Sequence, residues 1–128
     1  MSRMLTLAVV LCLGCGGPAT NTAAGPSPQV ALEELAEVIR SMDQMKQLKP
    51  SKLADLKRYE PIAEIGIAAL RDGSVIYLWG GGYKTGGTGV VAYQTKAETE
   101  GGLVLLQDGT VKSMTTAEFA AAPKAGKK

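Results

Sequence analysis

A chain of 128 residues, 45% apolar and 20% charged, has room for one small globular domain with appended segments. A net charge of +2 leaves no electrostatic footprint for nucleic acid, and the basic residues read as scattered, with one cluster in the terminal Lys-Ala-Gly-Lys-Lys. There is no histidine and both cysteines, Cys12 and Cys15, lie near the N-terminus, so the domain that follows has none of the ligands or nucleophiles of zinc sites, haem ligation, thiol catalysis or His-dependent triads, and no cofactor or metal is expected.

Residues 1–15, MSRMLTLAVVLCLGC, have the layout of an export signal, with Arg3 as the positive segment, an apolar run from Met4 to Leu13 and small residues after it. The run is far shorter than the ~20 residues that a bilayer-spanning helix needs. Leu13-Gly14-Cys15 resembles the end of the bacterial lipoprotein signal, in which a small residue precedes a cysteine that is lipidated and becomes the new N-terminus. Cys12 stands where the usual leucine would be, with Leu11 one place further back, and ordinary cleavage around Thr22-Ala23-Ala24 is the alternative. Either route takes the protein out of the cytoplasm, and lipidation at Cys15 would make the membrane its first partner. Residues 16–28, GGPATNTAAGPSP, are too poor in large apolar groups to pack and read as a tether. As a whole the chain resembles the short lipoproteins of bacterial genomes, with its domain facing the periplasm or the exterior.

Ser27-Pro28 predicts a helix start, with serine as the cap and proline at the first helical position. Leu32, Leu35, Ile39 and Met42 then recur at intervals of three and four; Ala31, Val38 and Met45 widen the stripe, and Glu33, Glu34, Glu37, Arg40 and Asp43 take the other face. Lys49-Pro50 stops this helix, and Ser51 caps a short second one over KLADLKRY, whose Leu53, Leu56 and Tyr59 would form a satellite to the core. From Ile62 onward the pattern predicts strands at 65–70, 75–79, 90–94, 103–106 and 111–114. Val75 to Trp79, apolar on both faces, reads as a central strand, and the mixed Val111 to Met114 as an edge. Asp72-Gly73 and Asp108-Gly109 both read as hairpin turns, either a duplicated unit or two independent turns. Thr115 and Glu118 have capping-box spacing and open a final helix that Pro123 ends, leaving 123–128 as a basic disordered tail. The expected fold is α+β over 29–122: an N-terminal helix and a short second helix on an antiparallel sheet of four or five strands, with a short C-terminal helix.

The run VVAYQTKAETEGGLVLLQDGTVKSMTTAEF, about a quarter of the chain, resembles the tail of prepilin-like (pseudopilin-type) exported proteins. The elements that carry the resemblance are Ala92-Tyr93, Gly101-Gly102, Leu103 to Leu106, Asp108-Gly109, Val111 and Glu118-Phe119. Glu98 stands where that family usually has a histidine, and the long apolar helix by which such proteins polymerise is replaced by the short signal. The resemblance therefore implies a helix on an antiparallel sheet outside the cytoplasm and a structural or scaffolding role, but not filament assembly.

Carboxylate pairs for glycoside chemistry would have to come from Glu98 with Glu100 or Asp72 with Glu64, which spacing alone does not bring together. The acidic residues never take the alternating spacing of a calcium loop. The stretch WGGGYKTGGTGVVAY, from Trp79 to Tyr93, concentrates glycine around Lys84, yet Gly87 stands where a phosphate-binding loop needs lysine, and a strand rather than a helix follows. It reads as a mobile connection between strands, with Tyr83 and Lys84 at its tip. The expected function is a non-catalytic structural or interaction role in the cell envelope, with an envelope protein as partner and Trp79, Tyr83 and Lys84 as contacts. The alternative is a ligand- or glycan-binding module built on Trp79 and Tyr83, although Trp79 also continues the core alternation of Val75 and Tyr77.

Overall fold

A computed structural model describes residues 27–128; the signal, Cys15 and nearly all of the tether lie outside the described residues. The first helix, α1, spans Pro28–Gln44 and buries Ala31, Leu32, Leu35, Val38, Ile39 and Met42, as the spacing predicts. Each large aliphatic side chain so buried contributes about 2 kcal/mol relative to exposure. Ser27 occupies the cap position with extended backbone, but its side chain makes no capping bond.

The helix ends in a Schellman motif: Lys46 N donates to Asp43 O at 3.0 Å and Gln47 N to Met42 O at 2.9 Å. Lys46 takes the left-handed conformation, φ 54°, that glycine usually supplies here. Met45, expected on the apolar stripe, falls at the cap and is 59% exposed.

The short second helix is a 3-10 segment, Leu53–Tyr59. Its capping is the reverse of the expectation, because Ser51 N and Oγ both donate to the Asp55 carboxylate, at 2.9 and 3.0 Å. Leu56 and Tyr59 join the main core rather than a satellite.

The segment expected as a first strand is instead helix α2, Glu64–Asp72. Ile-Gly-Ile looks strand-like, but Ala68-Ala69-Leu70-Arg71 are strong helix formers, Glu64 suits the positive end of the dipole, and Gly73 at φ 82° is a C-terminal stop. Asp72-Gly73 is thus a helix end and not a hairpin, which removes the duplicated-hairpin alternative; only Asp108-Gly109 joins two strands.

Four strands follow, β1 (Val75–Tyr77), β2 (Val90–Gln94), β3 (Gly102–Leu106) and β4 (Val111–Met114), paired antiparallel in that spatial order. The segment expected at the centre, β1, is therefore an edge, and β4 is the other edge as expected. The central position with both faces covered belongs to β2, where Val90, Val91, Ala92 and Tyr93 are all buried. A bulge between Val90 and Ala92 lets Val91 and Ala92 share the main core while Val90 and Tyr93 face the other way. Helix α3, Thr116–Ala121, has the expected reciprocal capping box and places Phe119 against Tyr93, with ring centroids 4.6 Å apart. One sheet face is covered by α1, α2 and the first 3-10 segment, and the other by α3 and a second 3-10 turn, Thr95–Glu98.

Residues 123–128 are not the disordered tail that their composition suggests. Val90 N donates to Pro123 O and Ala125 N to Val90 O, at 2.8 and 2.9 Å, and Trp79 exchanges two backbone hydrogen bonds with Lys127. These contacts are made by the main chain, so lysine-rich composition does not forbid them, and glycine at 126 lets the backbone lie directly against the carbonyls of Leu78 and Trp79.

The two helices are clamped at Gly66. Its N–H, one of the orphan amides in the first turn of α2, donates to Glu34 Oε2 of α1 at 2.7 Å, and a Cβ there would meet Ala31 O at 2.8 Å. We expect Gly66→Ala to destabilise the domain by about 1–2 kcal/mol in urea unfolding despite alanine's better helix propensity, and Glu34→Ala by about 1 kcal/mol. A more stable Gly66→Ala would disprove the close approach. Lys46→Gly should stabilise by about 0.5–1 kcal/mol through relief of the left-handed lysine.

Candidate functional site

Trp79 is half-buried, with its ring 4.7 Å from that of Tyr77 and tilted by 34°. It lines an open apolar hollow of about 320 Å³ with Leu53, Leu70, Val75, Ile76 and Lys128. Tyr83 lies elsewhere, under the Arg40 guanidinium at 5.6 Å, in a hollow of about 60 Å³ shared with Ile39, Met42, Lys49 and Gly82. That volume is well under the roughly 300 Å³ at which small-ligand sites begin. Lys84 is exposed, and its backbone N donates to Gln107 O at 2.8 Å. The structure thus does not bring Trp79 and Tyr83 into one hollow.

The glycines of the connection have a packing role that composition does not reveal. A Cβ at Gly82 would come within 2.8 Å of the Lys49 stem, and one at Gly87 or Gly89 within 2.7 Å of Gln107. At Gly82 and Gly87 the atoms met are the Lys49 stem and the Gln107 Cβ, so a side chain there would force a neighbour to shift, whereas at Gly89 the first contact is the movable Gln107 Oε1.

Among the carboxylates, Glu98 accepts from Tyr93 Oη at 2.8 Å and pairs with Lys128 Nζ at 2.5 Å. The Lys128 bond first, and the Tyr93 bond second, hold its carboxyl below the usual range. A general acid needs the opposite shift, so this arrangement acts as a tie between the second 3-10 turn, β2 and the chain end. Asp72 is likewise committed, accepting from Ser74 N at 2.8 Å. Among the described residues no group of three His, Cys, Asp or Glu could hold a metal, and no polar or charged residue is buried.

A hollow larger than those at Trp79 and Tyr83 was not expected from sequence. The connection from α1 to the 3-10 segment forms an open hollow of about 780 Å³ lined by Met42, Lys46, Leu48, Lys49, Lys52 and Arg58, with Asp55 as its acidic group. Leu48 is 90% exposed at its rim. The basic residues are therefore not merely scattered: Lys46, Lys49, Lys52, Lys57 and Arg58 fall in one short stretch, and none of them forms an ion pair among the described residues. The signal was present in MKQLKPSKLADLKR, where cations outnumber acids by five to one.

No family model matches this chain, and neither a curated protein nor a solved structure does. No described helix is long and apolar enough to cross a membrane.

Six carboxyls lie below their ordinary values because of hydrogen bonds that exist only in the fold: Asp55 to Ser51, Glu60 to Arg71, Asp72 to Ser74, Glu98 to Lys128 and Tyr93, Asp108 to Thr110, and Glu118 to Thr115. The unfolded chain takes up these protons first as pH falls, so this stability is present above roughly pH 4–5 and is lost below it. Burial pushes the Tyr77 and Tyr93 phenols up, with Glu98 adding to the shift at Tyr93. Unfolded tyrosine ionises near pH 10, so the folded state loses stability as pH rises beyond about 10. Urea midpoints measured across pH should form a plateau with both flanks, and Tyr93→Phe should flatten the alkaline one; an unchanged alkaline flank in both Tyr93→Phe and Tyr77→Phe would refute this account.

Proposed function

We propose that this chain is an exported, lipid-anchored and non-catalytic domain of the bacterial cell envelope, acting through contact with another envelope component. The observation that carries the interaction role is Leu48, a large aliphatic side chain left 90% exposed on a short connection whose backbone is pinned by a helix-end motif. Single exposed aliphatics are ordinary, but this one stands with exposed Met45 beside a basic hollow, which is the composition of a contact surface. The export role rests on residues 1–15 and on Cys15 as the lipidated residue. A structural role fits the use of Glu98 as a tie, and fits the resemblance of residues 90–119 to pseudopilin-type tails.

Expression of the full chain in a bacterium with an alkyne fatty-acid label tests the anchor. We expect the wild type to be labelled and to fractionate with membranes, Cys15→Ser to be unlabelled, and globomycin to accumulate the precursor. An unlabelled wild type would remove the lipoprotein assignment.

A further inference from the structure

The basic surface between α1 and the 3-10 segment is a site of defined chemistry. Four cations, Lys46, Lys49, Lys52 and Arg58, line one hollow, and Lys57 neighbours Arg58 in the chain. The acid among them, Asp55, accepts both the backbone N–H and the hydroxyl of Ser51 on one oxygen, Oδ2, and is outnumbered by the cations of the hollow. Leu48 lines the hollow and is 90% exposed, and Met45, next to Lys46 in the chain, is 59% exposed. Lys46 holds its place at a left-handed position where glycine would cost less, so the cation is kept at the expense of backbone strain.

We propose that this surface docks on an anionic phospholipid membrane, with the cations among lipid phosphates and Leu48 and Met45 inserted at the headgroup boundary. The choice of lipid as occupant rests on the envelope role proposed above. Charge complementarity favours a phosphate-bearing surface, and protruding aliphatics flanked by lysines suit a bilayer, which yields around them, better than a rigid partner needing a matching pocket. Chain length allows it: residues 16–27 reach at most about 40 Å when extended, and α1, at 17 residues, is about 25 Å long, so an anchor at Cys15 does not keep the far end of α1 from the membrane.

The test uses the full chain carrying Cys15→Ser, sedimented with phosphatidylcholine vesicles and with vesicles that also contain phosphatidylglycerol. Residues 1–26 are common to all variants, so differences between variants report the surface. Each cation removed should weaken partitioning onto the anionic vesicles roughly fivefold, so Lys46→Gln with Lys52→Gln gives about 25-fold. Leu48→Ser should lower it roughly tenfold. Lys96→Gln with Lys112→Gln, exposed lysines on the second 3-10 turn and on β4, should change it little. Circular dichroism verifies that each variant is folded. Equal binding to both vesicle types, equal losses in the control variant, or no effect of Leu48→Ser would overturn the proposal; binding to neither vesicle type would overturn it in favour of an acidic protein partner. Failure here with successful lipid labelling would leave the anchor intact and refute only the docking surface.

Discussion

The crossing of α1 and α2 at Gly66 is the contact on which the rest of the domain depends. Ala63, the residue at the start of α2, has no side chain able to cap it, so a carboxylate from another helix accepts from the Gly66 amide instead. That bond needs the two backbones close, and the missing Cβ of Gly66 allows the approach against Ala31 and Leu35. With α2 so placed, Ile67 and Ala69 face the same core as Leu35 and Ile39, and the two helices cover one side of the sheet. The carboxylate also opposes the positive end of the α2 dipole, so one interaction satisfies a donor and favours the charge.

Through Arg40, α1 reaches two other parts of the chain. Arg40 pairs with Glu37 at 2.6 Å, lies over the Tyr83 ring, and packs against Gly109 in the β3–β4 turn. An exposed ion pair of this kind contributes at most about 1 kcal/mol. Its packing matters more, because the aliphatic stem and planar guanidinium fill space between the glycine-rich connection and the hairpin. The glycine-rich connection is thereby held from one side by α1 and from another by Gln107, and its sequence reflects these close approaches.

Much of the fold was legible because its signals were local. The α1 stripe, the α3 capping box, strands β2 to β4 and the Asp108-Gly109 turn all follow from spacing and turn chemistry within a few residues. The errors have a common cause in tertiary context. A strand's place in the sheet is set by what covers it, so apolar character on both faces could not tell edge β1 from central β2, and β1 gains its cover from the helix layer and Trp79. Asp-Gly is the same dipeptide at a helix end and in a hairpin, and only the helical propensity of Ala68 to Arg71 separates the two cases. The terminal segment pairs through its backbone, which leaves no trace in side-chain composition.

The candidate surface was hidden by a different physical effect. Net charge sums over the chain, and the acids of α1 cancel the lysines that follow, although the two groups occupy separate stretches of the structure. Periodicity misled in the same place. Met42, Met45 and Leu48 continue at intervals of three, and a longer helix would have turned more of them toward the core. The Schellman motif at Lys46 ends the helix first, so Met42 is buried at 6% exposure while Met45 and Leu48 are left outside. A pattern that reads as core is thus converted into surface by one left-handed residue. Because that residue is a lysine rather than a glycine, the same position that turns the aliphatic side chains outward also adds positive charge beside them.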